Sequence, residues 1–276
     1  MEPLPKYWIA ARKGSQTAWG WSSRSLDDAR AVGYDRLARL LAAVHDGTIK
    51  GSYGWAPPRE LTLHEEYDGA GVLIGVVSRN RYGADVLNTD HFLVADIDVQ
   101  QSVAQHGRRL LRRAFGRAEE TADGPKALAL HRIGEFASAH PSVGVRVYET
   151  FGGFRAILTG TGLPPDSPGA AALFEELATD RVYARLCRKY QTCRARLTPK
   201  PWRTGLRASA PAWPAEDASA AEQWVGWLRD YQGASARYAT CRLVETFGPP
   251  PRPAEQRLID LHDRVSRAAE TALPLA

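Results

Sequence analysis

The chain has 276 residues, 44% of them apolar and 24% charged, with a net charge of +5. That apolar fraction supplies a core for one large domain or two small ones and excludes a disordered or collagen-like chain. Three cysteines, Cys187, Cys193 and Cys241, are an odd count that implies no closed disulfide framework and fits a reducing, cytoplasmic setting. No apolar stretch approaches the ~20 residues that span a bilayer, and Met1-Glu-Pro-Leu-Pro lacks the basic region and apolar run of a signal peptide. A protein of the cytoplasm with no membrane partner is expected.

In chain order, Lys6–Ala10 reads as a short strand and Trp19-Gly-Trp-Ser-Ser23 as a turn with two anchoring aromatics. Ser25 is an N-cap with Asp27 and Asp28 in the first turn of a helix. That helix runs to His45 on a stripe that includes Leu37, Leu40 and Leu41, and Asp46-Gly47 ends it. Residues 51–58 form a proline-containing loop. Leu61–Glu66 and Val72–Ser78 read as strands, with a basic turn at Ser78–Gly83 before Ala84–Thr89.

The stretch Phe92–Val99 carries Asp96 and Asp98 in an apolar, β-branched setting. Along a strand these two carboxylates project from one face, their Cα atoms about 7 Å apart. Two acids so placed suit a divalent cation held through oxygen ligands. The alternative is that both simply end a core strand and cap the loop after it. Residues 102–118 follow as a helix with Arg108, Arg109, Arg112, Arg113 and Arg117, either a solvated face or a phosphate-binding one. A second helix covers 126–140 and stops before Pro141.

Val143–Thr159 alternates on both sides of Gly152-Gly153, a two-residue hairpin signal. One face then holds Val145, Val147, Phe154 and Ala156 as core. The other holds Arg146, Tyr148, Thr150, Arg155 and Thr159, polar residues suited to a cleft. Helices are expected over 170–177, over 181–190 with Asp180 as cap, from about 217 with Trp224, Trp227 and Tyr231 on a core face, and over 254–272. Between Arg181 and Arg207 lie nine basic residues and no acid. Arg194, Arg196, Lys200 and Arg203 belong to this run, and Pro199 and Pro201 stiffen it. Such a segment is either spread over solvent or met by anions.

No phosphate loop, dinucleotide fingerprint, paired Cys-x-x-Cys or nucleophile elbow occurs. An Asp-Ile-Asp strand, a glycine-containing hairpin with polar residues and a later basic segment together resemble the archaeo-eukaryotic primase superfamily, over residues 72–207. The resemblance implies divalent metal at Asp96 and Asp98 and nucleotide contacts from Thr150 and the hairpin. Arg155 stands where that superfamily carries a histidine, and Asp180, Asp217 and Glu149 are poor candidates for its third acid. The stretch Arg194–Arg203, Arg-Ala-Arg-Leu-Thr-Pro-Lys-Pro-Trp-Arg, also resembles one shared by a family of bacterial proteins with no activity attached.

The expected fold is α+β: a mixed or antiparallel sheet with helices on one face and an open polar cleft on the other, a primase-like core. It would comprise a helical and aromatic extension (1–60), the core (61–210) and C-terminal helices (211–276). The expected function is divalent-metal-dependent nucleotide binding or nucleotidyl transfer. Asp96 and Asp98 would be catalytic and hold Mg2+ or Mn2+, with Tyr148, Thr150, Arg155, Arg194, Arg196, Lys200 and Arg203 on a nucleoside triphosphate, DNA or RNA. Asp96→Asn with Asp98→Asn is then expected to remove activity and spare the fold. The alternatives are a non-catalytic nucleic-acid binder using residues 181–207, and a metal-dependent nuclease.

Overall fold

The computed structural model describes residues 3–47, 56–99, 124–215 and 217–276. The arginine helix expected over 102–118 and most of the 51–58 loop lie outside the described residues. The strands are β1 (Tyr7–Lys13), β2 (Gln16–Ser22), β3 (Leu61–Tyr67), β4 (Leu73–Arg79), β5 (Asp85–Thr89), β6 (Leu93–Asp98), β7 (Gly144–Thr150), β8 (Gly153–Thr159), β9 (Cys193–Arg196) and β10 (Cys241–Phe247). The helices are α1 (Leu26–His45), α2 (Pro125–Ala139), α3 (Pro168–Glu176), α4 (Arg181–Tyr190), α5 (Ala218–Ser235) and α6 (Pro253–Ser266). The fold is α+β with antiparallel strand pairs. No helix among the described residues is long and apolar enough to cross a membrane.

The chain forms two compact units, one from residues 1–88 and 196–237, the other from 89–195 and 238–276. In the first, β1 and β2 form a hairpin about Gly14-Ser15, with Gly14 at φ +58. The expected turn at Trp19–Ser23 is therefore mostly strand. The left-handed position sits at Gly14, and Trp8 lies opposite Trp21 across the pair. Helix α1 lies on the hairpin at backbone distance: a Cβ on Gly20 would stand 2.0 Å from the Ala29 carbonyl oxygen. Ala11, Leu37 and Leu40, with Ile9, Ala18 and Leu41, fill that contact. The Ser25 hydroxyl accepts from the Asp28 amide at 3.1 Å, and Gly47 at φ +64 follows the helix, as the sequence predicts.

Strands β3, β4 and β5 make the second sheet of this unit, continued beside β5 by Leu197, whose amide donates to the Asp85 carbonyl at 2.8 Å. Helix α5 buries Trp224, Trp227 and Tyr231, the stripe read from the sequence. The Tyr231 hydroxyl donates to the Pro199 carbonyl at 2.6 Å. Gly83, at φ +87, leaves room for Trp227; a Cβ there would lie 2.0 Å from its ring.

The second unit is built on the sheet β10-β7-β8-β6. The β7–β8 hairpin turns at Phe151-Gly152, one position before the expected pair, so Tyr148 faces Arg155 rather than Ile157. A shift of two in the partner keeps both faces as read. Gly153 is a strand residue: a Cβ would meet the Ile97 carbonyl oxygen at 2.1 Å. Strand β10 was not expected. It pairs with β7 through a bulge between Leu243 and Glu245, which breaks the alternation that marks a strand in sequence. Helix α6 ends at Ser266 instead of near 272, with Arg267 at φ +60 closing it.

Candidate functional site

Asp96 and Asp98 project from the same face of β6, which ends the sheet order. Asp96 lies opposite Arg155 in the β6–β8 register, and its Oδ1 accepts from Arg155 Nε at 3.1 Å. Asp98, opposite Gly153, is exposed. The sheet thus unites one acid with one arginine of the expected set. Their environments differ sharply: the Arg155 side chain is 2% exposed and that of Asp96 39%.

The face expected to be an open cleft is covered where Arg155 and Tyr148 stand. Both are fully buried, and α6 brings His262 over them. His262 Nε2 is 3.3 Å from Arg155 and its ring meets Tyr148 edge-on at 4.8 Å. His262 Nδ1 is 2.8 Å from Asp263, and Cys241 Sγ is 3.9 Å from Nε2. Arg146 donates to the Tyr148 hydroxyl and to Asp263, each at 3.0 Å. Thr150, half-buried, lies opposite Cys241.

This network sets its own charge states. Burial pushes the Cys241 thiol up, but His262 and Arg155 outweigh it and hold the thiol below its ordinary value. Burial pushes His262 down, and Cys241 and Asp263 lift it above the usual imidazole range. Burial alone would raise Asp263; His262, Tyr148 and Arg146 bring it below the ordinary carboxylate value. Burial, with Asp263 alongside, holds the Tyr148 phenol protonated well beyond neutral pH. Arg155 remains charged because Asp96 and Cys241 outweigh its desolvation.

Arg155 is therefore enclosed by protein groups. As the described residues stand, Asp96 offers a cation only what its contact with Arg155 leaves. No group of three or more His, Cys, Asp or Glu able to hold a metal occurs among the described residues.

The basic run divides between the two units at β9. In the second unit, α4 sets Arg181, Arg185 and Arg188 on an exposed stripe at i, i+4 and i+7. Arg194, half-buried, donates its amide to the Tyr183 hydroxyl at 3.1 Å. In the first unit, Arg196 reaches the Thr198 carbonyl at 3.5 Å. Lys200 Nζ stands 5.6 Å over the Trp202 ring, and Trp202 meets Tyr82 edge-on at 5.4 Å. Arg81 covers Tyr82 at 4.7 Å. Trp202 is 54% and Tyr82 43% exposed. Arg203 sits in the same 3-10 turn as Trp202. Arg79 is buried, its Nε 2.8 Å from the Asp85 carboxylate.

Two features escaped the sequence reading. Cys241, His262 and Asp263 came together only because β10 pairs with β7 and α6 lies over that face. Tyr82 and Trp202 are 120 positions apart, and only the aromatic residue inside a basic, proline-stiffened segment hinted at a stacking role. No protein-family model, curated protein or solved structure matches this chain.

Proposed function

We propose that the protein binds single-stranded nucleic acid without catalysis, through the basic 181–207 stretch. The observation that carries this reading is the Tyr82–Trp202 pair: two exposed aromatic rings in edge contact, each accompanied by a cation, Arg81 or Lys200. Large aromatics held at a protein surface among basic side chains offer a base a stacking partner and its phosphate a counter-charge. The exposed Arg181, Arg185 and Arg188 of α4 supply further sequence-independent attraction in the other unit. Fluorescence anisotropy with a labelled oligonucleotide tests it. Binding is expected to fall as salt rises, and Trp202→Ala to cost about 1–3 kcal/mol per base lost from the stack. Undiminished affinity in a Tyr82→Ala, Trp202→Ala double variant rejects the reading.

A second reading is nucleotidyl transfer or phosphodiester cleavage dependent on Mg2+ or Mn2+. It is favoured by one observation, that Asp96 and Asp98 share a face of the strand ending its sheet and Asp98 is exposed. Calorimetry against nucleoside triphosphates with and without Mn2+ tests it, using Asp98→Asn, which leaves the Arg155 contact in place. Metal-independent heats, or heats unchanged in that variant, remove it.

A further inference from the structure

The first unit contains a cavity of about 230 Å3 walled by Trp8, Trp19, Trp21, Arg36, Leu40 and Arg59. The hairpin builds its aromatic wall. Trp8 and Trp21 are directly opposed across β1 and β2, their ring centroids 6.0 Å apart, and Trp19 follows two residues along the same strand face. Arg36, from α1, lies 4.6 Å over Trp21, and Arg59 lies 4.1 Å over Trp19.

Arg36 Nε and Trp8 Nε1 are buried without a hydrogen-bond partner among the described residues. Neither Arg36 nor Arg59 has a carboxylate partner there; the acid next to Arg36, Asp35, is paired with Arg39. Burial lowers the pKa of both guanidiniums. Native proteins rarely leave such donors unmet. A ligand that meets them must accept hydrogen bonds and carry negative charge. Three indoles in the wall, Trp8 and Trp21 tilted 42° to each other, offer an aromatic ligand face and edge contacts. Two guanidiniums in the wall exclude the alternative use of an aromatic cage, capture of a quaternary ammonium.

We propose that this cavity binds a nucleobase bearing a phosphate. The base lies against the indoles, the phosphate meets Arg36 and Arg59, and Trp8 Nε1 donates to an acceptor on the ligand. A space this small takes a single base, not a stack. The proposal shares the ligand chemistry of the nucleic-acid reading and rests on other residues. The base can belong to a free nucleotide or to the 5′-phosphorylated end of a strand.

The test uses the full chain and follows tryptophan fluorescence and calorimetry. Its probes are 5′-nucleoside monophosphates, the matching nucleosides, inorganic phosphate, and a short oligonucleotide with and without a 5′-phosphate. Monophosphates are expected to bind more tightly than nucleosides or phosphate alone. Arg36→Gln and Arg59→Gln should each weaken this at least tenfold, and Trp8→Phe, which keeps a ring but loses the N–H, severalfold. Trp202→Ala should leave in place the part of monophosphate binding that Arg36→Gln and Arg59→Gln remove. A preference for the 5′-phosphorylated oligonucleotide identifies a strand end as the source, and monophosphate binding without oligonucleotide binding identifies a free nucleotide; both support the site. The latter result also removes the stacking surface at Trp202. No monophosphate binding, or binding indifferent to Arg36→Gln and Arg59→Gln in variants that unfold at the wild-type temperature, overturns the proposal. Oligonucleotide binding that persists in that case leaves the Trp202 reading standing.

Discussion

Arg155 in one unit is fully buried, while in the other Arg36 is half-buried and Arg59 exposed, and their partners differ as sharply. Arg155 is met by Asp96 and flanked by His262 and Cys241. The Arg36 and Arg59 guanidiniums stand 4.6 and 4.1 Å from indole centroids beside a cavity, with no carboxylate partner among the described residues. A buried guanidinium with protein counter-groups is part of the fold's own electrostatics. One held only by aromatic faces keeps its hydrogen-bonding capacity for something else. Substitution should therefore cost stability at the first and affinity at the second.

The largest effect belongs to Asp96→Ala, which removes the carboxylate facing a fully buried guanidinium. A loss of roughly 3 kcal/mol in urea unfolding is expected, toward the low end for a broken buried pair because Asp96 itself is partly open to water. The same unfolding curves on Asp96→Asn with Asp98→Asn test the expectation that this pair spares the fold. A variant that loses metal-dependent activity at wild-type stability would reverse the assignment. Next comes Gly153→Ala, whose methyl would enter the Ile97 carbonyl. A loss of about 1–3 kcal/mol is expected from the overpacking, read from the same unfolding curves, with binding at Trp202 untouched in the folded fraction.

The pH dependence of the buried network comes third. The folded pKa of Asp263 lies below its ordinary value of 3.8. The stability it contributes is then present above 3.8 and lost as pH falls through the lower folded value. The folded pKa of His262 lies above 6.5. Its contribution is complete below 6.5 and lost as pH rises through the folded value. Asp263→Asn should accordingly differ most from wild type above the acid limb and converge with it toward low pH. A difference that grows on acidification contradicts the sign. Smallest is Lys200→Ala: stability unchanged, and the log–log salt slope of single-strand binding reduced by about 0.7 for one lost phosphate contact. An unaltered slope removes Lys200 from the interface.

Local chemistry was legible where a short stretch decides it. The cap at Ser25, the Asp180 and Asp217 caps and the α5 aromatic stripe are set by residues within one or two turns of each other. The faces of β7 and β8 held despite the shifted turn, because side-chain direction depends only on parity along the strand. Strand β10 was missed because its bulge breaks that parity, and β2 because two tryptophans around a glycine look like a turn until Gly14 is recognised as the real one. The discontinuous units, each made of two distant stretches, have no signature in a reading that runs in chain order.

The sequence by itself determined that Asp96 and Asp98 share a face, that Tyr148 and Arg155 share another run's face, and that the 181–207 stretch carries uncompensated charge. Alternation and composition are enough for that. Only the tertiary structure decided which of these groups are satisfied. Helix α6 closes over Arg155, while Trp21 receives Arg36 from the following helix and Trp19 receives Arg59 from 40 positions along the chain. Whether a charge is neutralised depends on neighbours within a few ångströms, and these come from segments that the order of residues does not bring together.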